Sequence, residues 1–240
     1  MQKFILSLFA TLFVFTAHAQ LKRYTSSSGE MIFSFANIAK QGNAIDSRLR
    51  WSPVFNGQVL LNYDFNKTSG LFHGLALRNV GFIYEIPGTD TLKKFRSYNV
   101  GVPIGFKLGN LKRGLFLYAG YEFEIPFHYK EKTFVNEEKK ERIRSWFTNR
   151  QNWYTQSLFV GINFPKGINL KFKYYINEFF NPNYIQTLSG GKSNLFQSFN
   201  VNIFYFAVDW NVFKDIKEYN KGKKSKPQEG KKEERYSYLY

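Results

Sequence analysis

The sequence contains no cysteine, and only three histidines and two methionines among 240 residues. Without thiols there is no disulfide, no thiolate metal centre, no cysteine nucleophile and no cysteine for lipid attachment. His18 falls in the N-terminal segment read below as cleaved, which leaves His73 and His128 in separate parts of the chain. A Ser–His–acid hydrolase needs a histidine beside a serine and a carboxylate. Neither His73-Gly74-Leu75 nor His128-Tyr129-Lys130 supplies that neighbourhood. No His or carboxylate spacing suggests a metal site. Ser189–Asn194, SGGKSN, looks like a phosphate loop, but Gln186 stands where its first glycine belongs. No cofactor, no metal and no enzymatic activity are therefore expected. Long apolar runs are missing too. After residue 20 no stretch of 18 apolar residues occurs, so no transmembrane helix is expected.

What the chain has in abundance is aromatic residues, 20% of the total with 27 Phe and 16 Tyr. That composition suits strands and membrane interfaces. The formal charge of +16 would point to nucleic acid in a cytosolic protein. The N-terminus argues otherwise. MQKFILSLFATLFVFTAHAQ combines Lys3, an apolar run and Ala17-His18-Ala19, the pattern of a secretory signal peptide cut after Ala19. No nucleic-acid partner is expected.

Alternation is the main structural signal. Leu115, Leu117, Ala119, Tyr121, Phe123, Ile125 and Phe127 share one parity, and Gly114, Phe116, Tyr118, Gly120, Glu122 and Glu124 the other. Tyr98, Val100, Val102, Ile104, Phe106 and Leu108 oppose Asn99, Gly101, Pro103, Gly105 and Lys107 in the same way. A period of two puts each set on one face of a strand, and Gly109-Asn110 supplies a turn between them. A soluble sandwich buries the apolar face, whereas a membrane barrel turns it to lipid and keeps the polar face in its lumen.

Eight strands are predicted, near Glu30–Ile38, Gln58–Phe65, Leu71–Tyr84, Phe95–Leu108, Gly114–Phe127, Trp153–Phe164, Ile168–Phe179 and Ser198–Trp210. Long and short links alternate strictly between them, as short periplasmic turns and long outer loops do in membrane barrels. The expected fold is all-β, an eight-stranded antiparallel up-and-down transmembrane β-barrel with both termini periplasmic. The expected organisation is a signal peptide over 1–19, an N-terminal periplasmic segment over 20–29, the barrel over 30–213 and a basic, disordered tail over 214–240. β-Bulges are expected where alternation breaks, at RNVGFIYE and NIFYFAVDW. NEEKKERIR favours a short helix by propensity. Tyr129, Trp146, Phe147, Trp153, Tyr154, Phe179, Phe180 and Tyr184 suit an outer aromatic girdle.

The segments YNVGVPIGFKLG, GLFLYAGYEFEIPF and GLALRNVGFIYEIP resemble small outer-membrane β-barrel proteins of Bacteroidetes-type bacteria, including the PorT-like group. The resemblance spans about Glu30 to Phe213. It implies a barrel fold and an outer-membrane location, and the PorT-like members imply a link to protein secretion that no residue here carries across.

Charges inside apolar strands find a place in such a lumen. Asp64, Arg78, Lys107, Glu122, Glu124, Lys171 and Lys173 are expected to form an internal ion-pair network, because both signs together can pair where a lone charge is costly. The functional alternative is an acid–base pair at Glu122 and Glu124. Eight strands leave an interior that side chains fill, so no diffusion pore is expected. In the outer loop Lys139, Lys140, Arg142 and Arg144 are candidate contacts to an anionic surface such as lipopolysaccharide, although interleaved glutamates suit a solvated loop. The expected partners are outer-membrane lipid, the barrel-assembly machinery and a periplasmic partner for the tail. The expected role is structural, adhesive or accessory to assembly and secretion. A lipid-modifying barrel enzyme and a soluble periplasmic carrier stand as alternatives.

Overall fold

The computed structural model describes residues 21–188 and 191–217. The expected signal peptide and nearly all of the expected tail lie outside the described residues. The strands are β1 (Lys22–Lys40), β2 (Asn43–Ile45), β3 (Ser47–Arg48), β4 (Arg50–Ser52), β5 (Gly57–Asp64), β6 (Ser69–Glu85), β7 (Thr91–Asn110), β8 (Leu115–Val135), β9 (Glu138–Trp146), β10 (Thr155–Asn163), β11 (Ile168–Tyr175), β12 (Ile185–Leu188), β13 (Gly191–Asn194) and β14 (Phe199–Lys217).

Eight of them close a ring. β1 pairs β5, β5 pairs β6, and the sequence continues through β7, β8, β10 and β11 to β14, which returns to β1. Every pair is antiparallel and every strand lies beside its neighbour in the ring order, so this is an up-and-down barrel with no free edge around its wall. The tight connections 65–68, 111–114 and 164–167 lie at one end, together with Lys22 and Lys217. The long connections lie at the other. There β9 pairs the far part of β8, and a sheet of β6, β7, β8 and β9 rises beyond the region where β10 closes the wall.

The wall is greasy outside. Val100, Val102, Ile104, Phe106 and Leu108 on β7 are all exposed, as are Leu115, Leu117 and Ile125 on β8, Leu158 and Val160 on β10, and Phe206, Val208 and Trp210 on β14. Beside these apolar stretches Lys107 on β7, Glu122 and Glu124 on β8 and Asp209 on β14 point inward and are buried. Such an inversion would be unstable in water, where the band would drive association. It is the arrangement that a hydrocarbon solvent requires.

Four expectations need correction. β1 begins at Lys22, so residues 22–29 are wall and not a free periplasmic segment; the serine-rich run Ser26–Ser28 hides the strand because its inward face is small and polar. β14 likewise continues to Lys217, past the expected boundary at 213. The expected helix over NEEKKERIR is instead the start of β9, part of a hairpin with β8. Asn136 and Glu137 both take positive φ, 50° and 65°, which makes the two-residue turn whose twist matches a hairpin. Pairing with β8 then outweighs a helix propensity of a few tenths of a kcal/mol per residue (about). Finally, no register shift occurs within RNVGFIYE against β7 or NIFYFAVDW against β1 and β11. The alternation there is intact but hidden: Val80, Phe82 and Tyr84 on β6 and Ile203 and Tyr205 on β14 point into an apolar upper lumen.

A bulge does occur where strict alternation seemed clearest. Tyr98 pairs His128 while Asn99 pairs Pro126, which leaves Phe127 as the extra residue on β8. Below it the odd-numbered residues from Leu115 to Ile125 face outward. Above it the outward parity passes to His128, Lys130 and Lys132, and Tyr129 and Glu131 turn inward and are buried.

Candidate functional site

The lumen has two storeys. The half toward the short turns carries most of the charges, beside a small cluster of Phe72, Tyr118 and Phe159, and the half toward the long loops is mainly rings, with Glu131 and Arg150 buried among them. All seven residues expected in the internal network lie buried in the lumen. Arg78 on β6 holds Glu122 on β8 through Nε at 3.0 Å and NH2 at 3.1 Å. Lys173 on β11 bridges Glu122 at 2.8 Å and Glu124 at 2.5 Å. Separately, Lys107 on β7 pairs Asp64 on β5 at 2.5 Å and also donates to Asn62 and the Tyr24 hydroxyl, each at 3.1 Å.

Lys171 joins through a residue that the sequence reading missed. Glu30 on β1 pairs both Lys171 and Arg78, the latter at 2.8 Å. Asp209 on β14 is a second missed member and accepts from Asn169. The signal for Glu30 was present, because it shares parity with Tyr24, Ser26 and Ser28; placing the strand start at Glu30 removed that context. Counting them, five acids and four bases share this interior. Each charge is costly alone and tolerable only because a partner is fixed opposite it.

The glycines on the same face make room for this packing. A Cβ on Gly101 would lie 3.1 Å from Glu124 Cγ and closer still to Glu122 Oε1. Gly161 does the same for Tyr118, whose ring would overlap any side chain there. Small residues on one strand thus admit large ones from the next.

The carboxylates of Glu122 and Glu124 are fully engaged. Tyr175 and Asn99 each donate to Glu124 at 2.7 Å, beside the Lys173 contact, and Glu122 is held by two cations. Every oxygen of the pair already accepts from a fixed donor, which argues against the acid–base alternative. His73 stacks on Tyr63 with its Nε2 3.3 Å from the phenol oxygen, and His128 stacks on Trp146 at 4.3 Å. The two imidazoles therefore sit on the outer wall, in aromatic surroundings.

The upper storey is a ring-on-ring plug. Phe82 stacks on Phe95 at 4.9 Å, Phe95 meets Phe180 edge-on at 5.2 Å, and Phe180 stacks on Phe196 at 4.1 Å. Phe179 and Phe180 come from the link after β11, which folds inward; Asn152 donates to the carbonyls of Glu178 and Phe180 at 3.2 and 3.4 Å and holds it there. Phe179, Phe180 and Tyr129 are thus core residues and not the girdle expected of them. Trp146, Phe147 and Trp153 are exposed, as girdle residues are. Among the charges of the lower half, a cavity of about 350 Å³ opens between the short turns, lined among others by Phe72, Tyr118, Phe159, Glu122, Lys171 and Asp209.

The other candidate set lies outside. Lys139, Arg142 and Arg144 occupy the outward face of β9, and Lys140 instead pairs Glu138 at 2.6 Å. Strand pairing brings Lys94 and Arg96 of β7 and Lys130 and Lys132 of β8 onto that same face. Lys94 and Arg96 were not singled out from sequence, because only the register places them beside β9.

No family model matches the chain, and no curated protein matches it significantly. Several solved outer-membrane proteins are similar to the chain at low sequence identity. The attachment invasion locus protein Ail of Yersinia pestis, solved with the heparin analogue sucrose octasulfate, is 13% identical, with 80% of this chain and 99% of that one covered and a TM-score of 0.36. Neisserial surface protein A is 9% identical over 79% of this chain and 97% of its own, with a TM-score of 0.35. OprG from Pseudomonas aeruginosa is 12% identical over 84% and 99%, with a TM-score of 0.37. The barrel assignment itself rests on the closed ring of strand pairs.

Proposed function

We propose that this chain is an outer-membrane barrel sealed against diffusion, whose role is to hold the β6–β9 extension rigidly at the cell surface as a structural or adhesive element. One observation carries the reading: the wall is apolar outside and charged inside, with five acids and four bases buried in the half of the lumen toward the short turns. A soluble carrier would bury the greasy face, so the exposed band speaks against that alternative. The signal-peptide pattern and the short-turn end shared by both chain ends of the wall support an orientation with the extension outside. The PorT-like resemblance belongs to the same reading, since YNVGVPIGFKLG and GLFLYAGYEFEIPF form the β7–β8 hairpin that carries the extension. An assembly or secretion-accessory role would act through the short-turn end, which faces the periplasm in this orientation.

The test is electrophoretic mobility of protein extracted from purified outer membranes, before and after boiling. A closed ladder resists dodecyl sulfate until heated, so a heat-dependent shift is expected. Recovery of the protein in the soluble periplasmic fraction, with no shift, would sink the reading.

A further inference from the structure

The outward face of the β7–β8–β9 extension carries two complete rows of cations. Lys94 pairs Lys132, which pairs Arg142; one step lower, Arg96 pairs Lys130, which pairs Arg144. All six share a face, because the Phe127 bulge brings the β8 lysines into phase with β7 and β9. Among the described residues, no ion pair joins any of the six to a carboxylate. The nearby acids point elsewhere. Glu131 is buried on the opposite face, with Tyr129 and Lys93. Glu138 is taken by Lys140, and Glu141 stands opposite Thr133 on the inward parity.

Just below the cations runs an aromatic row. Tyr98, His128 and Trp146 stack across the three strands at 5.5 and 4.3 Å. Lys130 leans down onto it, with Nζ 4.6 Å from the Tyr98 ring centre. Below that row begins the apolar band, at Val100 and Ile125.

Height then selects the ligand. A strand tilted in a barrel wall climbs about 5 Å for every two residues. The two cation rows therefore lie about 5 and 10 Å above the aromatic row, the lower one within the headgroup layer of about 5–7 Å that flanks the hydrocarbon and the upper one at its outer margin. Six like charges in a grid repel one another, and Lys132 shows it: partial burial, then Arg96, Lys139, Lys94 and Arg144, pull its ammonium below the usual lysine range. A ligand with several closely spaced negative charges relieves that repulsion, and the guanidiniums of Arg96, Arg142 and Arg144 offer the planar forks that grip phosphate bidentately.

We propose that this face binds the phosphorylated headgroup of an outer-leaflet lipid, with Arg96, Lys130 and Arg144 on its phosphates, Lys94, Lys132 and Arg142 above them, and the open His128–Trp146 end of the aromatic row against its sugar and upper acyl chains, Tyr98 being buried behind Phe55 and Lys130. The proposal rests on the barrel spanning the membrane with the extension outward. It deepens that reading by naming the lipid class that the wall selects.

The experiment uses the full mature chain in detergent micelles, titrated with diphosphoryl lipid A or its dephosphorylated form, with bound lipid counted by native mass spectrometry. Wild type should retain the diphosphoryl lipid, and the dephosphorylated form should be lost. The Arg96→Gln/Lys130→Gln/Arg144→Gln variant should bind at least ~10-fold more weakly, since charge-assisted contacts are the strong ones. The Lys94→Gln/Lys132→Gln/Arg142→Gln variant, tested alongside, should show a smaller loss, and heat-modifiability verifies that each variant is folded. Equal retention of the two lipids, or no loss in a folded triple variant, overturns the proposal. So does inositol hexakisphosphate binding as tightly as the lipid and displacing it, which would make the face a site for soluble polyanions. Insertion into neutral phosphatidylcholine vesicles separates the two readings: without it the membrane reading falls and takes this one with it, whereas insertion with no phosphate preference defeats the headgroup site alone.

Discussion

The Lys173 ammonium lies 2.5 Å from the Glu124 carboxylate, and both side chains are wholly shielded from solvent. It also reaches Glu122 at 2.8 Å, so one cation on β11 neutralises two anions on β8 over the intervening strand β10. Residues 49 positions apart are tied into one electrostatic unit that exists only when β8, β10 and β11 are paired in register.

Lys173→Met removes that cation and strands the two carboxylates. Breaking a buried pair from one side costs about 3–5 kcal/mol. The expected outcome is a lower denaturant midpoint for the refolded barrel, read by the heat-modifiable band. The double variant Lys173→Met/Glu124→Gln should recover much of the loss. A double variant no better than the single one would show that packing around Lys173, and not charge, governs the effect.

Gly101→Ala tests the space reserved for the network. Its new methyl group would press on Glu122 Oε1 and Glu124 Cγ and push Glu122 off Arg78. Overpacking of this kind costs about 1–3 kcal/mol. Thermal denaturation should show the loss, and Gly42→Ala, with nothing within 4 Å of its added carbon, is the control for position. Because Gly42 has a φ of 82°, that control carries a backbone penalty of its own of about 1 kcal/mol. Equal destabilisation of the two variants would therefore remove the steric argument.

The stacked rings of Phe82, Phe95 and Phe180 close the long-loop end of the lumen. Planar-bilayer recordings of the wild type should show no stable conductance steps. Large steps would contradict the seal. Phe95→Ala/Phe180→Ala should lower stability by several kcal/mol, about 3–5 for each ring lost from a packed core, and should admit intermittent small-ion leakage.

Lys132 supplies a spectroscopic readout for the outer face. Its ammonium is held low by partial burial and by the surrounding cations, so in carbon-13-methylated protein its resonance should titrate below the ordinary lysine range. A lysine whose folded pKa is depressed binds its proton less well folded than unfolded. Its charging therefore works against the fold at low pH, and that penalty fades as pH rises through the folded value. Replacing Arg96 or Arg144 with Gln should move the titration upward, and added diphosphoryl lipid should do the same. A titration indifferent to both changes would mean that the six cations do not act as one field.

Much of the wall was legible. Alternation over Val100–Leu108 and Leu115–Ile125 marks the lipid-facing parity, and the opposite parity carries Lys107, Glu122 and Glu124 inside. A charge on the inward parity of a narrow barrel has nowhere to go but the lumen. Other elements were masked by competing signals. Ser26–Ser28 looks like a loop by composition but is a strand, because its neighbours β5 and β14 supply the missing ladder. NEEKKERIR looks helical by propensity but is a strand, because Asn136 and Glu137 turn the chain back along β8. The Phe127 bulge left no trace, since a shift of one residue in an aromatic stretch keeps both faces plausible.

The sequence by itself determined the period, the eight strands of the wall and the sign of the faces over Val100–Leu108 and Leu115–Ile125, because those are local properties of side chains spaced two apart. The tertiary structure alone decided which charges meet. Glu30, Arg78, Glu122, Lys171 and Lys173 come from four different strands, and Lys94, Lys132 and Arg142 from three. Their pairing depends on register, and register is set by closing the ring and by one extra residue at Phe127, neither of which is written in any single strand.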